Sequence, residues 1–208
     1  MKKIQLRALC ILLCLAFVMP FASCRANERQ EKTFFLMDTL ISVTLYATEK
    51  EAAPIFEECE RLLTEYENLW SRTKPESDVG RFNAAGNSIE LDPRTASLIA
   101  QAVEVSQKTN GAFDITIAPV VNLWQTSEEQ GTLPSDSQMQ DALILVDAQG
   151  ITLSGNVLQK SNPNVQIDLG GIGKGAAISA LIDYLEDSGV RGGLVSFGSN
   201  VAVFGEKP

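Results

Sequence analysis

One ten-residue stretch, Gln166-Ile167-Asp168-Leu169-Gly170-Gly171-Ile172-Gly173-Lys174-Gly175, restricts the folds open to this chain more than any other part of it. An apolar, strand-like run over 165–167 ends at an aspartate. Four glycines fall within the next residues, and a helical pattern opens at Lys174. Glycine lets the backbone turn sharply and lets a ligand approach closely. A helix N-terminus adds free N–H groups and the positive end of a dipole, which suits phosphate, and Lys174 adds a cation. The stretch is not a Walker A loop, because Gly175 stands where Ser or Thr would be, and it is not GxGxxG. The residues alone leave two readings open: a phosphate cradle, and a plain strand-to-helix turn with a capping aspartate.

The helix after this turn, 174–187, puts Ile178, Leu181, Ile182 and Leu185 on one face, and Gly189 closes it. Residues 41–46 alternate Ile41, Val43 and Leu45 with polar neighbours, as a strand with one buried face does. A helical face at 55, 59, 62, 63, 66 and 70 places a long helix over 49–70. Asp92-Pro93 opens another helix, and Asn110-Gly111 ends it. Ser135 to Gln138 has capping-box spacing. Runs 143–146, 151–153 and 165–167 read as strands with turns at Gly150 and Gly155, and 194–204 as a final strand region. Strands and helices do not alternate strictly, so the fold class is α+β with largely antiparallel sheets.

The N-terminus reads as an export signal. Lys2, Lys3 and Arg7 precede an apolar run that ends Phe21-Ala22-Ser23-Cys24. A basic start, a short apolar run and small residues before a cut are a secretory signal. A cysteine directly after them is the pattern of a bacterial lipobox, so residues 1–23 are expected to leave, Cys24 to carry lipid, and 24–32 to act as a tether before a domain over 33–208. Cys10 and Cys14 would leave with the signal, so only Cys59 remains, too few for an internal disulfide, and its helical neighbours make it a core residue. The chain has no histidine. Removing the signal takes away three basic side chains and no acid, leaving 14 basic against 26 acidic ones, a net charge of −12. That balance argues against nucleic acid and against a basic membrane-binding face.

Two further segments are candidates for chemistry. In Gly111-Ala112-Phe113-Asp114-Ile115-Thr116, a half-buried Asp114 could accept hydrogen bonds from a ligand ring, but spacing alone favours an Asx turn. The loop from Ser71-Arg72-Thr73 to Arg81-Phe82-Asn83 is rich in turn formers and says little else.

Met37-Asp38-Thr39, the Ser-Arg-Thr to Arg-Phe-Asn loop, Gly-Ala-Phe-Asp-Ile-Thr and Asp-Leu-Gly-Gly-Ile-Gly-Lys-Gly follow one another in an order and spacing that resembles the ApbE family, the FAD:protein FMN transferases. The resemblance covers about 34–208. It implies an ApbE-like fold with a flavin-binding cleft, and a lipoprotein on the outer side of a bacterial cell membrane. The reaction implied moves FMN from FAD to a threonine or serine hydroxyl of an acceptor flavoprotein, such as a membrane redox-pump subunit, with Mg²⁺ at the pyrophosphate and AMP released. Carried over by position, Met37, Thr73, Ala112, Phe113, Asp114, Asp168 and Lys174 match flavin-nucleotide contacts, and Gly171 matches a metal-binding carbonyl. No nucleophile from this chain is implied, since the acceptor brings the attacking hydroxyl. Two other readings share these residues: splitting of FAD to FMN and AMP by water, left open by the non-aromatic Thr73, and flavin holding without chemistry.

Two departures from the family pattern set expectations. Further metal-binding Asp and Thr residues, and a histidine segment, lie in the family beyond the point reached here, so the chain is expected to be incomplete at its C-terminus with a partial magnesium site. Ser199 stands in Ser196-Phe197-Gly198-Ser199-Asn200 where the family has a second glycine. If that position takes a left-handed backbone, serine costs about 1 kcal/mol there.

Overall fold

A computed structural model describes residues 29–206. The expected signal and Cys24 lie outside the described residues. Strand β1 (Arg29–Leu36) takes in the last part of the polar run that precedes the fold, and pairs in antiparallel register with β2 (Thr39–Tyr46), from Arg29 opposite Tyr46 to Leu36 opposite Thr39. Two residues join them, Met37 and Asp38, with φ of 52° and 55°. A two-residue loop with both φ values positive is the type I′ turn, whose twist matches that of the strands.

Helix α1 (Glu49–Trp70) starts with a Thr48/Glu51 capping box and buries Ile55, Phe56, Cys59, Leu63 and Trp70. The Cys59 thiol is fully buried and its pKa is pushed up to about 12 by desolvation, so it is a core group and not a nucleophile. Short helix α2 (Asp78–Ala84) and strand β3 (Ser88–Glu90) lead to α3 (Pro93–Lys108), which Asp92 caps through the Arg94 N–H with proline at its start. Asn110 and Gly111, both at positive φ, end it, and the Gly111 N–H returns to the Ser106 carbonyl.

The β-branched stretch after Gly111 folds as a 3-10 turn (Ile115–Ile117) followed by helix α4 (Ala118–Glu129). Helix α5 (Asp136–Leu143) carries the expected Ser135/Gln138 capping box. Strands β4 (Ile151–Ser154) and β5 (Val157–Lys160) form a hairpin around Gly155. Helix α6 (Gly173–Asp187) and the hairpin of β6 (Gly192–Phe197) and β7 (Asn200–Gly205) complete the described chain. One sheet runs β1-β2-β6-β7 and a second β3-β5-β4, antiparallel throughout. Helices α1 and α6 touch each other and lie against the first sheet. This is the α+β class expected from the sequence.

Three local expectations need correction. Residues 143–146 are not a strand: Ile144, Leu145 and Val146 send their N–H groups back to Gln140, Ala142 and Leu143 as the helix unwinds. An apolar run this short reads the same in either state. Residues 165–167 pair with no strand; side chains take that role. The Asn83 carboxamide donates to the Ile167 carbonyl at 2.9 Å and accepts the Ile167 N–H at 2.8 Å, across 84 residues of sequence. Residues 194–204 are two strands, not one. At their turn Gly198, with φ of 62°, takes the left-handed position and Ser199 does not, so the condition for strain at Ser199 is not met.

Lys160 braces the same region. It is 7% exposed, and its ammonium donates to the carbonyls of Phe82 and Val165, each at 3.0 Å, with the Phe82 ring 4.8 Å away. Burial pushes its pKa below the ordinary 10.5. The unfolded chain therefore binds more protons between the lowered value and 10.5, and stability rises with pH across that window. Replacing Lys160 with methionine should flatten this rise in urea midpoints measured from pH 8 to 10.5. It should also cost about 2 kcal/mol or more, because two carbonyls lose their donor in the interior. A variant with the same slope as the parent would contradict the assignment.

Candidate functional site

Four chain segments meet at one cleft of about 260 Å³. The tip of the β1–β2 hairpin brings Met37 and Asp38. The end of α1 and the turn after it bring Glu67, Trp70, Ser71, Arg72 and Thr73. The glycine-rich turn into α6 brings Asp168, Leu169, Gly170, Gly173 and Lys174, while α4 adds Val121 and Gln125.

The turn after α1 is held from below. Ser77, 1% exposed, caps α2 by accepting the Gly80 N–H at 2.8 Å, and its hydroxyl donates to the Ser71 carbonyl. Gly80 must be glycine, because a Cβ there would run into the Lys74 backbone carbonyl. The buried Asp78 carboxylate accepts the Asp92 N–H at 2.8 Å and pairs with Arg81, tying α2 to the start of α3. The Thr73 hydroxyl lies 3.0 Å from that of Ser71.

The glycine-rich turn is anchored as firmly. The Asp168 N–H donates to the Ile115 carbonyl at 2.7 Å, and its carboxylate accepts the Gly170 N–H at 2.6 Å. The other carboxylate oxygen lies 2.9 Å from Arg72 Nε. The guanidinium also donates from Nη1 to Asn122 at 2.7 Å, and the Asn122 amide donates to Gln166 at 3.1 Å. Arg72 thus joins the turn, α4 and the segment leading to Asp168. Helix α6 opens at Ile172 with no side-chain cap, so its first-turn N–H groups beyond Gly173 are free for an anion. The Lys174 ammonium pairs with no carboxylate among the described residues.

Of the residues singled out from the sequence, Met37, Thr73, Asp168 and Lys174 line the cleft together. Ala112, Phe113, Asp114 and Gly171 do not. Phe113 packs under the turn: a Cβ at Gly171 would come within 3.0 Å of its ring. The Asp114 carboxylate accepts the Thr116 N–H at 2.8 Å and the Thr116 hydroxyl at 2.7 Å, so it is the Asx-turn residue its spacing favoured. The sequence reading missed Trp70 and Arg72. Trp70 carried only the signal of a helix face, and its buried indole Nε1 has no hydrogen-bond partner among the described residues. Arg72 carried no local signal, since its partners lie far along the chain.

The described residues do not fit a magnesium site. Among them no three acidic or cysteine side chains come close enough to hold one metal ion, and the Asp168 oxygens already face Arg72 and the Gly170 N–H. An oxygen-ligated octahedral ion needs more free donors than this.

Fold and cleft together define an α+β protein with an anion-ready helix terminus beside an apolar wall. The comparisons make that class specific: the ApbE family model matches residues 37–208, and the chain belongs to that family. Among curated relatives, the FAD:protein FMN transferase of Vibrio cholerae is 29% identical over 152 residues, covering 71% of this chain and 46% of the relative. That of Salmonella typhimurium is 32% identical over 189 residues, covering 85% and 52%. The chain spans about half the length of the curated relatives it matches. Among solved structures, the Pseudomonas stutzeri flavinyl transferase ApbE superposes with a TM-score of 0.77 at 27% identity, covering 89% of this chain and 62% of that one. The ApbE protein of Thermotoga maritima gives 0.79 at 26%, covering 86% and 60%.

The strained hairpin tip supplies a test of the site's construction. Left-handed backbone at a non-glycine residue costs roughly 1–2 kcal/mol, and the second position of a type I′ turn favours glycine. Asp38→Gly should raise stability by about 1 kcal/mol in urea or thermal denaturation. A fall in stability would show that the Asp38 side chain, not the pairing of the strands, holds the turn.

Proposed function

We propose that this chain carries the flavin-nucleotide cleft of an FAD:protein FMN transferase. The observation that carries the reading is the meeting of Lys174 and the uncapped start of α6 with Met37, Trp70 and Leu169, a cationic phosphate end beside an apolar ring wall. The cleft is smaller than the usual pocket for a whole drug-sized ligand, so a dinucleotide would reach beyond it.

In this reading the oxygen of an acceptor threonine or serine forms a bond to the FMN phosphorus of FAD. The bridging P–O bond to AMP breaks, AMP leaves with the electron pair, and the hydroxyl proton passes to solvent. Such transfer depends mainly on positioning and on neutralising developing charge. Lys174 and the α6 N–H groups would serve the phosphates, and Met37, Thr73 and Asp168 would place the flavin nucleotide. Magnesium is part of the proposal through the family resemblance alone, and no step is assigned to it. The acceptor would be an extracytoplasmic flavoprotein such as a membrane redox-pump subunit. Membrane attachment would rest on lipid at Cys24; among the described residues no helix is long and apolar enough to cross a membrane.

Incubation of the full chain with FAD, Mg²⁺ and a threonine-bearing acceptor should give a flavin-fluorescent acceptor band on a denaturing gel, with one AMP released per flavin attached. AMP release that is indifferent to the acceptor would identify FAD hydrolysis instead. FAD binding with neither product would reduce the protein to a flavin holder.

A further inference from the structure

The cleft wall carries three acids, Asp38, Glu67 and Asp168, against two cations, Arg72 and Lys174. Glu67 is answered by Lys74, 3.3 Å away. Without Arg72, Lys174 alone would face Asp38 and Asp168, and the wall would repel a diphosphate. Arg72 is built in rather than draped over the surface. Its side chain is 16% exposed and that of Asp168 17%. Asn122 fixes Nη1, and Gln166 fixes Asn122. Nη2 donates no hydrogen bond to any described residue. A planar guanidinium held at Nε and Nη1, with Nη2 donors to spare, is suited to a second oxyanion partner.

We propose that Arg72 is a specificity-determining residue, which makes the cleft select ligands with a diphosphate over flavins without one. Asp168 and Asn122 hold the guanidinium, and Nη2 engages a phosphate oxygen alongside Lys174. The inference rests on the flavin-nucleotide reading of the cleft. It adds a residue that the motif order did not single out, and it explains how Asp168 can sit in a phosphate site without opposing the ligand.

The test compares the full chain with Arg72→Gln and Arg72→Lys. FAD and riboflavin binding are followed by flavin fluorescence, and ADP binding by competition with FAD. Arg72→Gln should weaken FAD and ADP by about tenfold or more, the scale of one lost charge-assisted hydrogen bond, and leave riboflavin nearly unchanged. Arg72→Lys should recover part of the ADP affinity, because it keeps the charge but loses the fork. The FAD-to-riboflavin affinity ratio within each variant is the deciding quantity, since damage to folding lowers both together. If Arg72→Gln does not fold, the ratio in Arg72→Lys decides. An unchanged ratio overturns the inference while leaving the flavin reading in place. A parent chain that binds neither FAD nor riboflavin overturns both.

Discussion

The site depends on a segment that has no strand partner. Residues 165–168 run between the second sheet and helix α6, and side chains supply what a neighbouring strand would. Asn83 pairs with both the N–H and the carbonyl of Ile167, Lys160 holds the Val165 carbonyl, and Ile115 receives the Asp168 N–H. Buried peptide groups left unpaired would each be costly. The same hydrogen bonds that remove this cost also set where Asp168 points. Phe82 and Asn83 are neighbours on α2, so one short helix braces the segment twice, through its own carbonyl to Lys160 and through its amide to Ile167.

That arrangement gives the loop between α1 and β3 its purpose. Its turn formers bury Ser77 and Asp78, lock Gly80 against the Lys74 carbonyl, and leave Arg72 and Thr73 facing the cleft. One end of the loop presents cleft residues and the other holds the unpaired segment that ends at Asp168. Arg72 then closes the circuit by pairing with Asp168 itself.

The parts of the fold that were legible in the sequence are those governed by local rules. Helix α1 showed its face, α3 its Asp92-Pro93 start and Asn110-Gly111 end, and α5 its capping box. Helix α4 was hidden because Ile, Val and Thr around Pro119 carry a strand-like composition, and tertiary packing overrode it. The run 165–167 misled because it has the composition of a strand and is held by side chains 84 residues away at Asn83. In the cleft, Asp168 and Lys174 announced themselves through the glycines around them. Arg72 could not, because an ion pair between distant segments leaves no periodicity. Family resemblance drew attention to Ala112, Phe113, Asp114 and Gly171; none of them lines the cleft, Phe113 lies against Gly171 in the turn, and Asp114 caps the Ile115–Ile117 turn.

The first hairpin also fixes a distance. Strand β1 begins at Arg29 and delivers Met37 to the cleft after eight residues, a span of roughly 26 Å at the rise of an extended strand. Arg29 therefore stands at the end of the β1–β2 hairpin away from its tip. A fully paired strand thus acts as a fixed spacer that keeps Arg29 one strand length from the cleft, so a contact made at one end of β1 leaves the surface at the other uncovered.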